Sequence, residues 1–328
     1  MSGSPVPAPL SLAAVPTPMH RLHRLSEAFG TEVWIKRDDM TGDMATAGNK
    51  IRKLEYLLAD ALQKGADCVV TTGGPQSNHT RAVTALAVRL GMESVIVAAG
   101  RDPGTRRANL LMNELMGARI LFSETYSPAD QEAALLRTCR ELAAQGRKPY
   151  LIPVGGSNGL GTLGYIRAYE EMSRQREDGG LQFDWIFVTV GSGGTYAGLL
   201  LGQYLTSSKQ TQPEKIVGIS TWLNRNDSIR LVASCLTEAA DWIGGSPPVS
   251  PYIEDSYLGK GYGVPTEGCL EAIALLARTE GIFLDHVYTG KTMAALLDYI
   301  KKGVVRPADR VLFWHTGGAT GIFAREWR

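Results

Sequence analysis

Lys50 lies in the run Gly48-Asn49-Lys50-Ile51-Arg52-Lys53-Leu54-Glu55, where Asn49 is placed to cap a helix and Glu55 falls in its first turns. A lysine just inside a helix N-terminus sits in an unfavourable dipole field, which helps to hold it unprotonated, and an unprotonated amine attacks carbonyls. On placement alone a solvated surface lysine is the commoner outcome, so Lys50 needs partners. Four glycine-rich stretches offer them: Gly73-Gly74 before Gln76, Gly155 to Gly164, Gly191 to Gly198, and Gly317 to Gly321. Each follows an apolar run. In α/β folds ligands collect at the C-terminal ends of strands, where glycine lets backbone N–H groups approach an anion. The strongest stretch is Gly191-Ser192-Gly193-Gly194-Thr195, between Phe187-Val188-Thr189-Val190 and a helix expected to start near Tyr196. Its N–H groups and two hydroxyls can form a phosphate cup.

Two better-known phosphate motifs fail. No G-x-x-x-x-G-K-[ST] occurs. Gly159-Leu160-Gly161-Thr162-Leu163-Gly164 matches G-x-G-x-x-G, but the next strand runs into Gly191 with no acidic residue for a ribose. These glycines are therefore read as a connection between lobes, and a nicotinamide dinucleotide is disfavoured. Tyr262, in Gly261-Tyr262-Gly263-Val264-Pro265, and Tyr288, in Val287-Tyr288-Thr289-Gly290-Lys291, carry phenols that can serve a leaving group. A lone tyrosine equally suits core packing with a satisfied hydroxyl. Cys68, Cys139, Cys235 and Cys269 are widely spaced, without metal-ligand spacing, and read as buried free thiols of a reducing compartment.

The elements that must position these residues follow an α/β rhythm. Short β-branched runs at Val33–Lys36, Cys68–Thr71, Ser94–Val97 and Trp185–Val188 are each followed by a helical pattern. Leu54, Leu57, Leu58, Ala61 and Leu62 recur at helical spacing, as do Ala82, Ala85, Leu86 and Leu90, so each helix offers an apolar face to a sheet. Gly65 and Gly91 stand where helix C-termini need caps. Two such series, one from Lys50 to about Tyr150 and one from Phe183 onward, predict two α/β lobes with mostly parallel sheets. Gly244 to Gly263, with Ser246-Pro247-Pro248, reads as a long surface or functional loop. The chain has 328 residues, 44% of them hydrophobic and 20% charged, enough for a sizeable core. Its 34 Lys and Arg against 33 Asp and Glu give no net field for nucleic acid. No run approaches a membrane span, and Met1 to Ala14 lacks the basic and apolar regions of a signal peptide, so a cytoplasmic enzyme of a small molecule is expected.

Taken in order, Gly48-Asn49-Lys50 with Arg52-Lys53-Leu54-Glu55, then Gln76-Ser77-Asn78-His79, Gly191-Ser192-Gly193-Gly194-Thr195 and His315-Thr316-Gly317-Gly318, resemble the motifs of one family from about Pro16 to Phe323. That family is the D-cysteine desulfhydrases and 1-aminocyclopropane-1-carboxylate (ACC) deaminases, fold-type II pyridoxal-phosphate (PLP) enzymes of the tryptophan-synthase-β-like group. The resemblance implies a two-domain, three-layer αβα fold. A large PLP-binding domain would comprise 1–51 plus 165–328, and 52–164 would form a smaller α/β domain with the substrate loop. Lys50 would be the Schiff-base lysine and the base that moves the α-proton. Ser77, Asn78 and His79 would grip the substrate carboxylate, Asn78 also reaching the cofactor's phenolic oxygen, while Ser77 or Asn78 equally suits a helix cap. Gly191, Ser192, Gly193, Gly194 and Thr195 would hold the phosphate, and Thr316 would offer the pyridine nitrogen a neutral hydroxyl. Tyr262 and Tyr288 match two active-site tyrosines, while Lys291 is structural and Lys53 a solvated or ion-paired neighbour.

The resemblance also separates reactions. ACC-opening deaminases carry Glu, Gln and Leu where Thr289, His79 and Thr316 stand here. Those three positions and Gly155-Gly156-Ser157-Asn158 point to the desulfhydrase branch, and Gly73-Gly74 before Gln76 dissents. Thr72, Gly74 and Pro75 depart from both. The expected activity is an α,β-elimination on a small amino acid, D-cysteine first, with an L-cysteate sulfo-lyase, an ACC deaminase and a PLP-binding protein without turnover as alternatives. Homodimerisation is implied by the family alone.

Overall fold

The computed structural model describes residues 6–206, 213–245 and 249–327. Its strands are β1 (Met19–Arg21), β2 (Glu32–Arg37), β3 (Cys68–Gly73), β4 (Glu93–Ala98), β5 (Arg119–Phe122), β6 (Pro149–Ile152), β7 (Trp185–Val190), β8 (Lys215–Ser220), β9 (Ile253–Glu254) and β10 (Arg310–His315). They form two sheets, ordered β1-β2-β10-β7-β8-β9 and β5-β4-β3-β6. All neighbours pair parallel except β1 with β2. The helices are α1 (His23–Phe29), α2 (Lys50–Gln63), α3 (Asn78–Arg89), α4 (Ala108–Leu115), α5 (Pro128–Ala144), α6 (Gly159–Asp178), α7 (Gly194–Thr206), α8 (Arg225–Ile243), α9 (Glu267–Glu280) and α10 (Thr289–Lys301).

Strand alternation builds a core on each face of each sheet, which makes the three layers. In β10, Val311 and Phe313 join the core beneath α9 and α10, while Leu312 and Trp314 join the one formed with α6, α7 and α8. In β3, Val69 packs toward α2 and α3, while Cys68 and Val70 face α5. Burying one such aliphatic side chain contributes about 1.5–3 kcal/mol, so the alternation holds the sheets in register. The α/β, mostly parallel, layered expectation agrees with this architecture.

Local differences have physical causes. The glycines of Gly159 to Gly164 lie on the passage from β6 of the four-stranded sheet to β7 of the six-stranded one, and they form the first turns of α6. A Cβ on Gly159 would strike the backbone of Glu238, and one on Gly164 the carbonyl of Arg52, so this series permits α6 to pack main chain against main chain. α7 starts at Gly194, two residues before Tyr196. Leu62 is exposed although it shares the helical spacing of its buried neighbours, and Cys139 is half-buried while the other free cysteines are buried. Gly65 and Gly91 both adopt the left-handed conformation after their helices. In the loop from Gly244, residues 246–248 lie outside the described residues; the remainder includes β9 and leads to Tyr262.

Candidate active site

The candidates gather where strands end and helices begin. β3 leads to Ser77, β7 to Gly191, β10 to Thr316, and β2 through a short turn to the loop before Lys50. The Asn49 N–H donates to the Thr316 carbonyl at 2.9 Å, joining the start of α2 to the end of β10. The two chains approach so closely that a Cβ on Gly317 would stand 2.7 Å from Gly48 Cα. Gly48 and Gly317 have φ of +116° and +99°, which residues with a Cβ rarely adopt.

Asn49 occupies the cap position of α2, yet its side chain makes no capping hydrogen bond. Its amide donates to Thr195 Oγ1 at 2.9 Å, and its carbonyl oxygen accepts from Lys50 Nζ at 2.9 Å. The expected cap is thus a bridge between the lysine and the glycine loop. Glu55 also has another task, accepting the N–H groups of Leu12 and Ala13 at 2.8 and 2.9 Å. Lys50 is partly open to the cleft, but surrounding protein lowers its pKa to about 8; desolvation is the main cause, the positive charge of Arg81 adds to it, and Asp285 opposes it.

The glycine loop forms a cradle around Ser157. Ser157 Oγ hydrogen-bonds Ser192 Oγ at 2.7 Å and accepts from Gly194 N–H at 3.2 Å and from Lys53 Nζ at 2.9 Å. Lys53 also donates to the Gly155 carbonyl at 3.2 Å. This ammonium is 1% exposed and has no carboxylate partner among the described residues. Burial first, and then the charge of Lys50, lower its pKa well below the usual lysine range. The expectation of a solvated or ion-paired Lys53 is therefore corrected: three residues after Lys50, it shares that face of α2 and points into the site. A Cβ on Gly194 would come within 2.9 Å of Ser157 Oγ and 3.2 Å of Lys53 Nζ, so only glycine keeps the cradle open. Backbone N–H groups at a helix start, hydroxyls and an uncompensated cation fit a phosphate. Lys53 and Ser157 were missed as site residues, although helical spacing from Lys50 was an available signal for the first.

The 76–79 loop is organised by Ser77, whose Oγ accepts from the N–H groups of His79 and Thr80 at 3.2 and 3.3 Å. Asn78 Oδ1 accepts from Asn109 Nδ2 at 2.8 Å. His79 is turned inward: its Nε2 meets Thr71 Oγ1 at 2.8 Å, and that hydroxyl donates to the Ile152 carbonyl at 2.8 Å. With its proton so committed, Thr71 accepts from His79, which fixes the Nε2–H tautomer. Burial, then Lys50 and Lys53, hold this imidazole neutral. The side chain of His79 is therefore spent in the floor of the site, at a distance from the open loop.

Tyr262 and Tyr288 come together, their hydroxyls 2.6 Å and ring centroids 5.9 Å apart, and Trp222 extends the aromatic wall at 6.5 Å from Tyr262. Desolvation and the neighbouring phenol push the Tyr288 hydroxyl well above its ordinary pKa, so it stays protonated. Lys291 is structural, as expected: it donates to the Leu258 and Gly261 carbonyls at 2.8 and 3.1 Å and ties the Tyr262 loop to α10. The buried Asp285 accepts the N–H groups of Val287, Tyr288 and Thr289, each at 2.9 Å, and sets the turn that presents Tyr288.

Behind α2 lies a second polar cluster. Arg52 donates to Asp38 and Glu171, Lys36 Nζ meets Glu171 at 2.5 Å, and Tyr165 and Trp314 donate to Asp38 at 2.7 and 2.9 Å. It joins α2 to α6 and β10, the elements that locate Lys50 and Thr316.

A nucleophilic lysine bridged to a phosphate cradle and faced by neutral hydroxyls defines an enzyme that works through a phosphorylated carbonyl cofactor. The chain belongs to the family described as pyridoxal-phosphate dependent enzymes, whose model matches residues 10–317, and its cofactor is pyridoxal phosphate. It is 41% identical over 324 residues, covering 96% of this chain and 95% of the relative, to a D-cysteine desulfhydrase of Yersinia pestis (strain Pestoides F). A D-cysteine desulfhydrase of Klebsiella pneumoniae is 40% identical over 323 residues, again covering 96% and 95%. A solved ACC deaminase homologue superposes with a TM-score of 0.88 at 38% identity, covering 96% of this chain and 93% of that one. A fungal L-serine ammonia-lyase from Rhizomucor miehei shares the fold at a TM-score of 0.69 and 17% identity, covering 95% and 96%. Among the described residues no helix is long and apolar enough to cross a membrane, and no group of side chains could hold a metal ion.

Proposed function

We propose that this PLP enzyme converts D-cysteine and water to pyruvate, ammonia and hydrogen sulfide. The observation that carries the reading is the Lys50–Asn49–Thr195 bridge, which places the amine beside the phosphate cradle, with the Tyr262–Tyr288 pair completing the cleft. When bound, PLP withdraws electrons from the substrate's Cα, so that the α-proton can leave and the β-substituent be expelled. Lys53, Ser192, Thr195 and the N–H groups of the Gly191–Gly194 loop would hold the phosphate. Lys50 would hold the cofactor through its amine and, as the free amine, would take the substrate's α-proton; a pKa near 8 suits a base at neutral pH. Ser77 has committed its acceptor side to the N–H groups of His79 and Thr80 at the cap of α3, which leaves its O–H to donate to the substrate carboxylate, together with the amide of Asn78. Thr316, at the end of β10, would offer a neutral hydroxyl to the pyridine nitrogen. In the tyrosine pair one phenol donates to the other, so one proton remains for the departing thiolate, with Tyr288 nearer to α10 and Tyr262 at the mouth.

The 40–41% identical relatives named D-cysteine desulfhydrase support the choice of substrate, and Thr289 and Thr316 support it against ring opening. The division into 1–51 plus 165–328 and 52–164, a homodimer and a cytoplasmic setting belong to the same proposal. The test is pyruvate release from D-cysteine, L-cysteine, L-cysteate, β-chloro-D-alanine and D-serine, with 2-oxobutyrate followed for ACC. D-Cysteine is expected to lead, and a preference for L-cysteate or ACC overturns the substrate. Lys50→Ala is expected to abolish both turnover and the yellow absorbance; retained turnover removes Lys50 from the mechanism.

A further inference from the structure

Arg81 is a guanidinium buried to 1% exposure with no carboxylate against it among the described residues. Its partners are neutral: Nε donates to the Ala45 carbonyl at 3.2 Å, Nη2 to the Ala47 carbonyl at 2.7 Å, and Nη1 to Asn109 Oδ1 at 3.0 Å, to Thr320 Oγ1 and, at 3.4 Å, to Asn78 Oδ1. Three segments of the site thus converge on one side chain: the loop that delivers Lys50, the substrate loop at Asn78, and the turn after Thr316. The acid that acts on Arg81 through space, Asp43, is exposed and paired with Arg89 at 2.6 Å. A buried arginine normally faces a carboxylate, since an uncompensated charge is costly to desolvate. Here hydrogen bonds satisfy the donors while the charge itself remains unneutralised. That arrangement suits a site which must receive an anion.

We propose that Arg81 is a positioning residue for the elimination: it fixes the carbonyl oxygen of Asn78 so that the amide N–H groups turn toward the substrate carboxylate, and it sets a fixed positive charge against the loop that delivers Lys50. The proposal rests on Lys50 being the lysine that carries the cofactor. The groups that face Lys50 are Arg81 and the neutral His79 on α3, Lys53 on its own helix, and Asp285 ahead of α10. Arg81 pushes toward the free base, Asp285 pulls the other way, and His79 adds no charge; the charge of Lys50 in turn lowers the pKa of Lys53. With the carbonyl oxygen of Asn78 turned toward Arg81 and Asn109, its amide N–H groups are the part left to reach a ligand.

The experiment uses the cofactor-loaded enzyme. The protonation midpoint of the Lys50 nitrogen is read by titrating the visible absorbance, and the pH profile of kcat/KM for D-cysteine is measured beside it. In Arg81→Gln, which keeps some hydrogen bonds but no charge, both midpoints are expected to rise by about one pH unit and KM to increase about tenfold. Arg81→Lys, which restores the charge with fewer donors, is expected to return the midpoints while leaving KM raised. Unchanged midpoints in a folded Arg81→Gln enzyme overturn the field, and an unchanged KM overturns the orientation of Asn78. Should Arg81→Gln fail to fold, Arg81→Lys decides: a midpoint displaced in the charged variant overturns the proposal, and one held at the parent value supports it. Lys50→Ala is run in parallel. If that variant keeps the yellow band, the assignment of Lys50 fails separately from Arg81.

Discussion

Two buried polar clusters flank α2, and they are built on opposite principles. Behind the helix, Lys36 and Arg52 meet Asp38 and Glu171, so two cations face two carboxylates. In front, Lys50, Lys53 and Arg81 make no ion pair with a carboxylate among the described residues; Asp285 acts on Lys50 through space, and its oxygens are occupied by the N–H groups of Val287, Tyr288 and Thr289. Closed ion networks cost desolvation and return it through mutual attraction; their use is to fix geometry. An open cluster keeps its desolvation cost until an anion arrives. A phosphate and an amino-acid carboxylate are such anions, so the front cluster is incomplete by design while the rear one is finished at folding.

Breaking the rear cluster should give the largest effect on folding. Asp38→Ala leaves Arg52 and Lys36 sharing Glu171 as their one carboxylate and is expected to cost about 3–5 kcal/mol in urea-unfolding free energy. A loss below about 1 kcal/mol would show that the network relaxes. In the front cluster, Tyr288→Phe should lower kcat about 100-fold while leaving unfolding unchanged; an equal loss in stability would make the phenol structural. Lys53→Met is expected to weaken PLP binding about tenfold, measured by equilibrium dialysis, and to leave the cofactor-free protein as stable as before or more so, because a buried amine with no carboxylate partner is gone. A marked loss of stability would instead place Lys53 in the finished scaffold.

The smallest effect is also the one that separates the clusters most cleanly. The pKa of Asp38 is held at about 2, below its ordinary 3.8, by Arg52 and Lys36 against desolvation, so its stabilising contribution is complete above pH 3.8 and is lost as pH falls toward 2. Lys50 gives a slope of the same sign at the other end of the pH scale, there because its charged form is disfavoured in the fold: its pKa of about 8 lies below 10.5, so the unfolded chain binds more protons in that interval. The cofactor-free protein should therefore gain stability from pH 8 toward 10.5, a gain missing in Lys50→Met. Chemical denaturation across pH measures both slopes.

Much of this was legible in the sequence, for reasons that particular residues make plain. Runs such as Phe187–Val190 declare buried parallel strands, and a glycine series after one declares a loop where backbone must approach a ligand. Lys50 was visible through its neighbours. The rear cluster was not: Asp38 and Glu171 stand 133 positions apart, and only the packing of α6 across α2 brings both to Arg52. Arg81 was hidden for a different reason. A helical arginine usually extends to solvent, and its burial depends on Ala45, Asn109 and Thr320, three residues from distant segments with no charge to announce the meeting. Asn49 was misread because cap position and cap function differ; its side chain had a stronger use beside Lys50.

The passage of α6 over α2 carries a lesson for anyone reshaping this pocket. At Gly164 the Arg52 carbonyl occupies the space a Cβ needs, and at Gly198 and Gly202 the side chains of Tyr165 and Tyr169 do the same for α7. These three positions touch no ligand, yet they act as the bearing surfaces on which the lysine-bearing helix is mounted. A mutational library aimed at new substrates can vary Trp222 at the edge of the aromatic wall and should leave the bearings untouched, since even one added methyl there would shift the mount before it altered the lining.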